Sequence, residues 1–173
     1  EEFNKITFDY LQFEKLTFLA NEMEIKNNYQ PSFNEPYVDH LATSTPSKRF
    51  IEWVEQNVKV LGSENKLVII IKEASITKSK FKNKEKVYGI IKKPEEIKYE
   101  LNYDVLFVIY DDFEKIIGKS DVQVVRSITS EHSISLAKRD QVLEDLIYNS
   151  LKDLTFKSEE SVNKFIKMYV LWF

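Results

Sequence analysis

The sequence predicts an α+β fold: a mostly antiparallel sheet of about four strands, with two to three helices packed on one face. Three observations carry this. Ile97, Tyr99, Leu101, Tyr103, Val105, Phe107 and Ile109 hold one phase of a two-residue alternation, while Lys98, Glu100, Asn102 and Asp104 hold the other. That is a strand with one face packed and one face wet. Apolar runs before and after it, Leu67–Ile71 and Ile116 to Thr129, make it the middle of a meander. From Ser135 onward the apolar spacing changes to that of amphipathic helices.

Taken in order, Ile6 and Phe8 predict a short strand, and Leu16 to Ile25 a further one, with helix as the competing reading there. Pro31 and Pro36 then impose an irregular, extended connector, because proline lacks an N–H and restricts the residue before it. Thr45 is a good N-cap and Pro46 suits the first helical position. Phe50, Trp53, Val54, Val58 and Leu61 form that helix's apolar side, and Gly62 is its predicted stop. Leu67 to Ile71 continues through Glu73, Ala74, Ser75 and Ile76 as a strand buried on both faces at its start. Asp111 to Glu114 supplies the reversal between the last two strands, and Gly118 marks a bulge. Leu136, Leu143, Leu146, Ile147, Ser150, Leu151 and Leu154 line the first C-terminal helix. A separate last helix is predicted from Ser158 as cap, with Glu159 and Glu160 in its first turn and Val162, Phe165, Ile166, Tyr169, Val170 and Phe173 on its apolar face.

At 173 residues the chain is expected to form a single domain, with residues 1–13 as a loosely attached segment. No apolar stretch approaches the roughly 18 residues of a membrane-spanning helix. A formal net charge of -3 gives no overall attraction to nucleic acid, and none is expected as a partner. The charge is unevenly spread. Lys78, Lys80, Lys82, Lys84, Lys86, Lys92 and Lys93 face one acid, Glu85, within a single hairpin.

The search for chemistry is mostly a record of absences. There is no cysteine, so thiolate nucleophiles and cysteine-ligated metals are excluded. Three isolated glycines build no phosphate-cradling loop, and His40 and His132 form no ligand pair. No catalytic residue, cofactor or metal is expected. Asp39 beside His40 lacks a nucleophile motif, and neighbours in extended chain point apart. A carboxylate-dependent enzyme using Asp39 or Glu100 would need two acids converging in a pocket with their pKa values pushed apart.

Two surfaces are candidates for binding. The lysine hairpin, with Tyr88 among its lysines, is suited to anionic headgroups. The reading preferred for it is nevertheless a solvated loop whose charges protect sheet edges, because lysines alternating with Ser, Phe and Asn define no pocket. The apolar end containing Tyr169, Trp172 and Phe173 is suited to a partner's groove.

The segment Tyr29, Gln30, Pro31 through Pro36, Tyr37, Val38, Asp39 and His40, with Trp53 and the helix end at Val60, Leu61 and Gly62, resembles a family of small envelope lipoproteins of alphaproteobacteria. The Lys72, Glu73, Ala74, Ser75 step and the helix over Ser135 to Asp153 are similar to that family too. The element order is also similar to auxiliary lipoproteins of envelope lipid-transport systems. The resemblance implies a non-enzymatic, periplasm-facing lipoprotein domain that binds a protein or an anionic lipid in the cell envelope, through the basic hairpin or the exposed sheet face. It implies membrane attachment only through a lipid anchor that this chain lacks, on a cysteine preceding Glu1. A structural assembly subunit pairing through a sheet edge is the alternative non-enzymatic expectation.

Overall fold

Proline, glycine and charge at the predicted turns leave long uninterrupted runs between them, and those runs become the elements. The computed structural model describes residues 6–81 and 95–172. The chain runs β1 (Leu16–Phe18), β2 (Glu22–Asn27), α1 (Pro46–Asn57), β3 (Val58–Val60), β4 (Lys66–Phe81), β5 (Glu96–Tyr110), β6 (Ile116–Glu131), α2 (Leu136–Phe165) and β7 (Val170–Leu171). Short 3-10 turns stand at Tyr10–Gln12, Asp39–Leu41 and Lys167–Tyr169.

There are two sheets. One has the order β2-β4-β5-β6, with β2 parallel to β4 and the other pairs antiparallel. The smaller one has the order β3-β1-β7, with β1 parallel to β3 and antiparallel to β7. The fold is therefore α+β as predicted, with strands divided between a large and a small mixed sheet.

The alternation in β5 fixes which face is covered. Ile97, Tyr99, Leu101, Tyr103, Val105, Phe107 and Ile109 are all buried. They meet Phe50, Trp53 and Val54 of α1 and Leu143, Ile147, Leu151 and Leu154 of α2 in one core. Tyr103 fits there because its hydroxyl donates to the Pro46 carbonyl at 2.7 Å. On the uncovered face, side chains of opposite charge satisfy one another. Lys72 lies between Asp104 and Asp121, Glu73 accepts from Ser75 and Asn102, and Asn102 accepts from Gln123. The β5–β6 reversal is held by Asp111, whose Oδ1 accepts from the Phe113 and Lys115 amides.

Four sequence expectations are corrected. Ile6 and Phe8 form no strand; the segment enters the 3-10 turn at Tyr10, where Asp9 caps through the Leu11 amide. Leu16 to Ile25 is two strands in different sheets, broken at Leu19 to Asn21. Helix α1 begins at the predicted cap, with Thr45 Oγ1 accepting from the Lys48 amide, yet stops at Asn57 and continues as β3. Gly62 is thus not its terminator. A Cβ there would lie 3.2 Å from the Ala20 amide nitrogen, so close passage of two backbones is what this glycine permits. Finally, Ser158 caps nothing. It is buried inside the last third of the 30-residue α2, which contains no proline or glycine to interrupt it; α2 starts at an exposed Leu136 and ends at Phe165, so Val170 belongs to β7 and not to a helix.

Candidate functional site

The first turn to consider is the one that follows residue 9. Tyr10 and Phe13 are buried, and Asn57 at the end of α1 holds their backbone: its Nδ2 is 2.6 Å from the Tyr10 carbonyl, 3.2 Å from that of Phe13 and 3.2 Å from that of Glu14. Trp53 Nε1 donates to the Glu14 carbonyl at 3.0 Å. Tyr10 donates to Glu52 at 2.6 Å, and its hydroxyl pKa is pushed up to about 12, first by burial and then by that carboxylate. Arg49 stacks over the Phe8 ring at 3.7 Å and reaches Glu144 of α2 at 3.3 Å. Tyr148 of α2 meets Phe8 and Phe13 edge-on. The segment is pinned to both helices.

This pinning creates a hollow at the end of the small sheet, with a volume of about 840 Å³. Leu11, Leu61, Leu171 and Trp172 give it apolar surface, and Glu14, Lys15, Lys59 and Glu159 give it charge. Leu11 is 74% exposed, Leu61 55% and Trp172 44%, so three large apolar side chains face solvent around it.

Glu14 and Glu159 meet in this hollow. Glu159 is pushed up to about 7, first by the hydrogen bond to Glu14, then by partial burial and by the charge of Glu14 and Glu160. A second acid beside Glu159 makes its ionisation costly, so Glu159 holds its proton to higher pH. The fold keeps them together. Glu14 is fixed through its carbonyl by Trp53 and Asn57, and Glu159 sits about three helical turns after Tyr148, hence on the same face of α2. A cationic group entering the hollow would replace the Glu159 proton and relieve the repulsion, with the Trp172 indole in the same lining for cation–π contact.

The sequence candidates fall in several places. Trp172 lines the hollow. Tyr169 does not; it is half-buried in the 3-10 turn before β7, with its ring against Gly118, and its carbonyl accepts from the Leu19 amide at 2.8 Å. Phe173 lies outside the described residues, as do Lys82, Lys84, Lys86, Tyr88, Lys92 and Lys93. Lys78 and Lys80 stand near the end of β4, opposite Tyr99 and Ile97. Asp39 and His40 are kept apart: Asp39 is buried and accepts from the Tyr29 hydroxyl at 3.1 Å, whereas His40 is exposed with its ring 5.2 Å from that of Phe33. Burial and the Asp39 charge hold the Tyr29 hydroxyl well above its ordinary pKa. Glu100 pairs with Lys98 at 3.1 Å on the open sheet face and does not approach Asp39.

Two acids do converge, but they are Glu14 and Glu159. The sequence carries no local signal for them, since they lie at opposite ends of the chain and Glu159 reads there as the first turn of a separate helix. Among the described residues no group of three or more histidine and acidic side chains is placed to hold a metal ion, and no helix is long and apolar enough to cross a membrane.

No family model matches the sequence, and no curated protein matches it. Among solved structures the chain is similar to a minor lipoprotein from Acinetobacter baumannii, at 11% identity and a TM-score of 0.47, over 86% of this chain and 96% of that one. It is also similar to a protein described as a homolog of neuraminyllactose-binding hemagglutinin from Helicobacter pylori, at 8% identity and a TM-score of 0.39, over 91% and 93% of the two chains. At such values neither likeness carries a functional argument.

Proposed function

We propose that the chain is a non-enzymatic, periplasm-facing lipoprotein domain that binds a protein partner of the cell envelope in the hollow beside Trp172. The observation that carries the binding reading is the hollow itself, where exposed Leu11, Leu61 and Trp172 surround an anchored carboxyl pair. Such a surface suits a partner segment that places a basic side chain between Glu14 and Glu159 and an apolar one against Leu61 and Trp172. A protein is favoured over an anionic lipid at this surface because Glu14 and Glu159 offset Lys15 and Lys59, so the hollow offers phosphate no excess of positive charge. The envelope setting is supported by the resemblance that runs from Tyr29 through Asp153.

A photoreactive side chain at position 61, in the full chain expressed in its host, tests this. Adducts with one envelope protein, lost when Glu159→Lys cancels the negative charge of the pair, are the expected result. Adducts found only in the cytosol would contradict the envelope setting, and adducts indifferent to Glu159→Lys would contradict the docking site.

A second reading rests on the same pair. A carboxyl group raised to about 7 beside a second acid is an arrangement that acid–base catalysis uses. It predicts hydrolysis of a bound substrate with a pH profile that Glu14→Gln and Glu159→Gln each abolish. The binding reading is preferred because the hollow is wide and open, with large apolar side chains exposed around it.

A further inference from the structure

Strand β6 ends the large sheet, and no described strand pairs with it on its outer side. It is 16 residues long and contains no proline. The His132 amide, one residue beyond the strand, donates inward to Glu95, and the Asp121 carbonyl is reached from outside the ladder by Ser161 Oγ. By the alternation of an antiparallel ladder, the odd-numbered residues from Lys119 to Glu131 therefore direct their amides and carbonyls outward. Side-chain hydroxyls touch this edge at two carbonyls, from Ser161 and Ser130, each at 3.3 Å, where a hydroxyl bond is weak. Such an edge is a template for another strand.

The side chains select the occupant. We propose that β6 pairs antiparallel with β6 of a second copy of this chain about a two-fold axis at Val125, joining two large sheets into one. In that register Lys119 of each copy stands opposite Glu131 of the other, Gln123 opposite Ser127 and Val125 opposite itself. Every one of these residues is outward-bonding and lies on the open face. Val125 is 55% exposed in the single chain and is covered at the axis. Moving the axis one residue toward Arg126 sets Asp121 against Glu131 twice, and moving it one residue toward Val124 leaves Lys119 opposite Thr129 with no acid to meet. Only the Val125 register of these three matches opposite charges. The axis is perpendicular to the sheet, so both α2 helices stay on one side. Strand β6 meets α2 on the flank that carries Asp153 and Ser161, and the edge used for pairing does not line the Glu14–Glu159 hollow. It therefore stands independently of the binding reading.

Sedimentation equilibrium on the full chain, with disulfide trapping, tests it. Lys119→Glu and Glu131→Lys should each weaken a dimer about tenfold or more, because two attractive pairs become repulsive. The combined Lys119→Glu/Glu131→Lys variant should regain the original affinity. Since the chain has no cysteine, Val125→Cys should crosslink to itself on oxidation, the opposed Cα atoms of such a pair being about 5.5 Å apart. Ser127→Cys, which meets Gln123, should not. A monomer at all concentrations, failure of the charge swap to restore the dimer, or crosslinking of Ser127→Cys in preference to Val125→Cys would overturn the proposal.

Discussion

Asn57 Nδ2 reaches three carbonyls of the N-terminal segment, and its side chain is buried at the end of α1. Replacing it with alanine strands those carbonyls away from water, at a cost of about 2–3 kcal/mol in denaturant unfolding, and it frees Glu14 to turn from Glu159. The acid pair makes a second prediction at this scale. Because Glu159 is raised to about 7 in the folded protein from an ordinary value of 4.5, the folded state binds the extra proton. The stability the pair contributes is then fully present below about pH 4.5 and is lost as pH rises through about 7. Glu14→Gln removes the neighbouring charge, so carbon-detected NMR should find Glu159 titrating well below 7. An unchanged titration would show that Glu14 is not the cause. None of this was legible in the sequence, where Asn57 is one polar residue of an amphipathic helix and Glu14 follows a phenylalanine in a segment with no periodicity.

Elements with a complete local signal came out as the sequence predicts. Thr45 and Pro46 start α1, the β5 alternation marks the buried face, and Asp111 begins the reversal into β6. The errors lie where a local signal competes with tertiary packing. Val58 to Leu61 continue the helical spacing of α1, but Val58–Val60 pairs in parallel with Leu16–Phe18, a partner far away in sequence. Gly62 then looks like a cap when its role is to let the chain pass Ala20. Ser158 followed by two glutamates imitates a helix start, yet nothing breaks the helix before it and its side chain is buried. Glu160→Pro separates the two pictures at an exposed position: proline is tolerated in the first turn of a helix beginning at Ser158 but should cost about 3 kcal/mol or more inside a continuous α2. On the same helix, Leu151→Ala opens a cavity against the sheet and should cost about 2–5 kcal/mol by urea unfolding.

Across the whole molecule, the large sheet satisfies its own charges on the open face and buries the other beneath two helices. The small sheet does less for the core but places Leu61, Leu171 and Trp172 around one hollow. The sequence pointed to Trp172 through its apolar surroundings, while the acids opposite it required three dimensions. The most direct test of a cation-accepting groove is an NMR titration that follows the indole N–H of Trp172, distinct from that of buried Trp53, with N-acetylarginine amide and with neutral N-acetylglutamine amide. The arginine probe should shift the Trp172 signal saturably, release a proton at pH 6, and lose both effects in Glu159→Gln, while the glutamine probe leaves the signal in place. Equal shifts from both probes, or none from the arginine probe, would contradict the account.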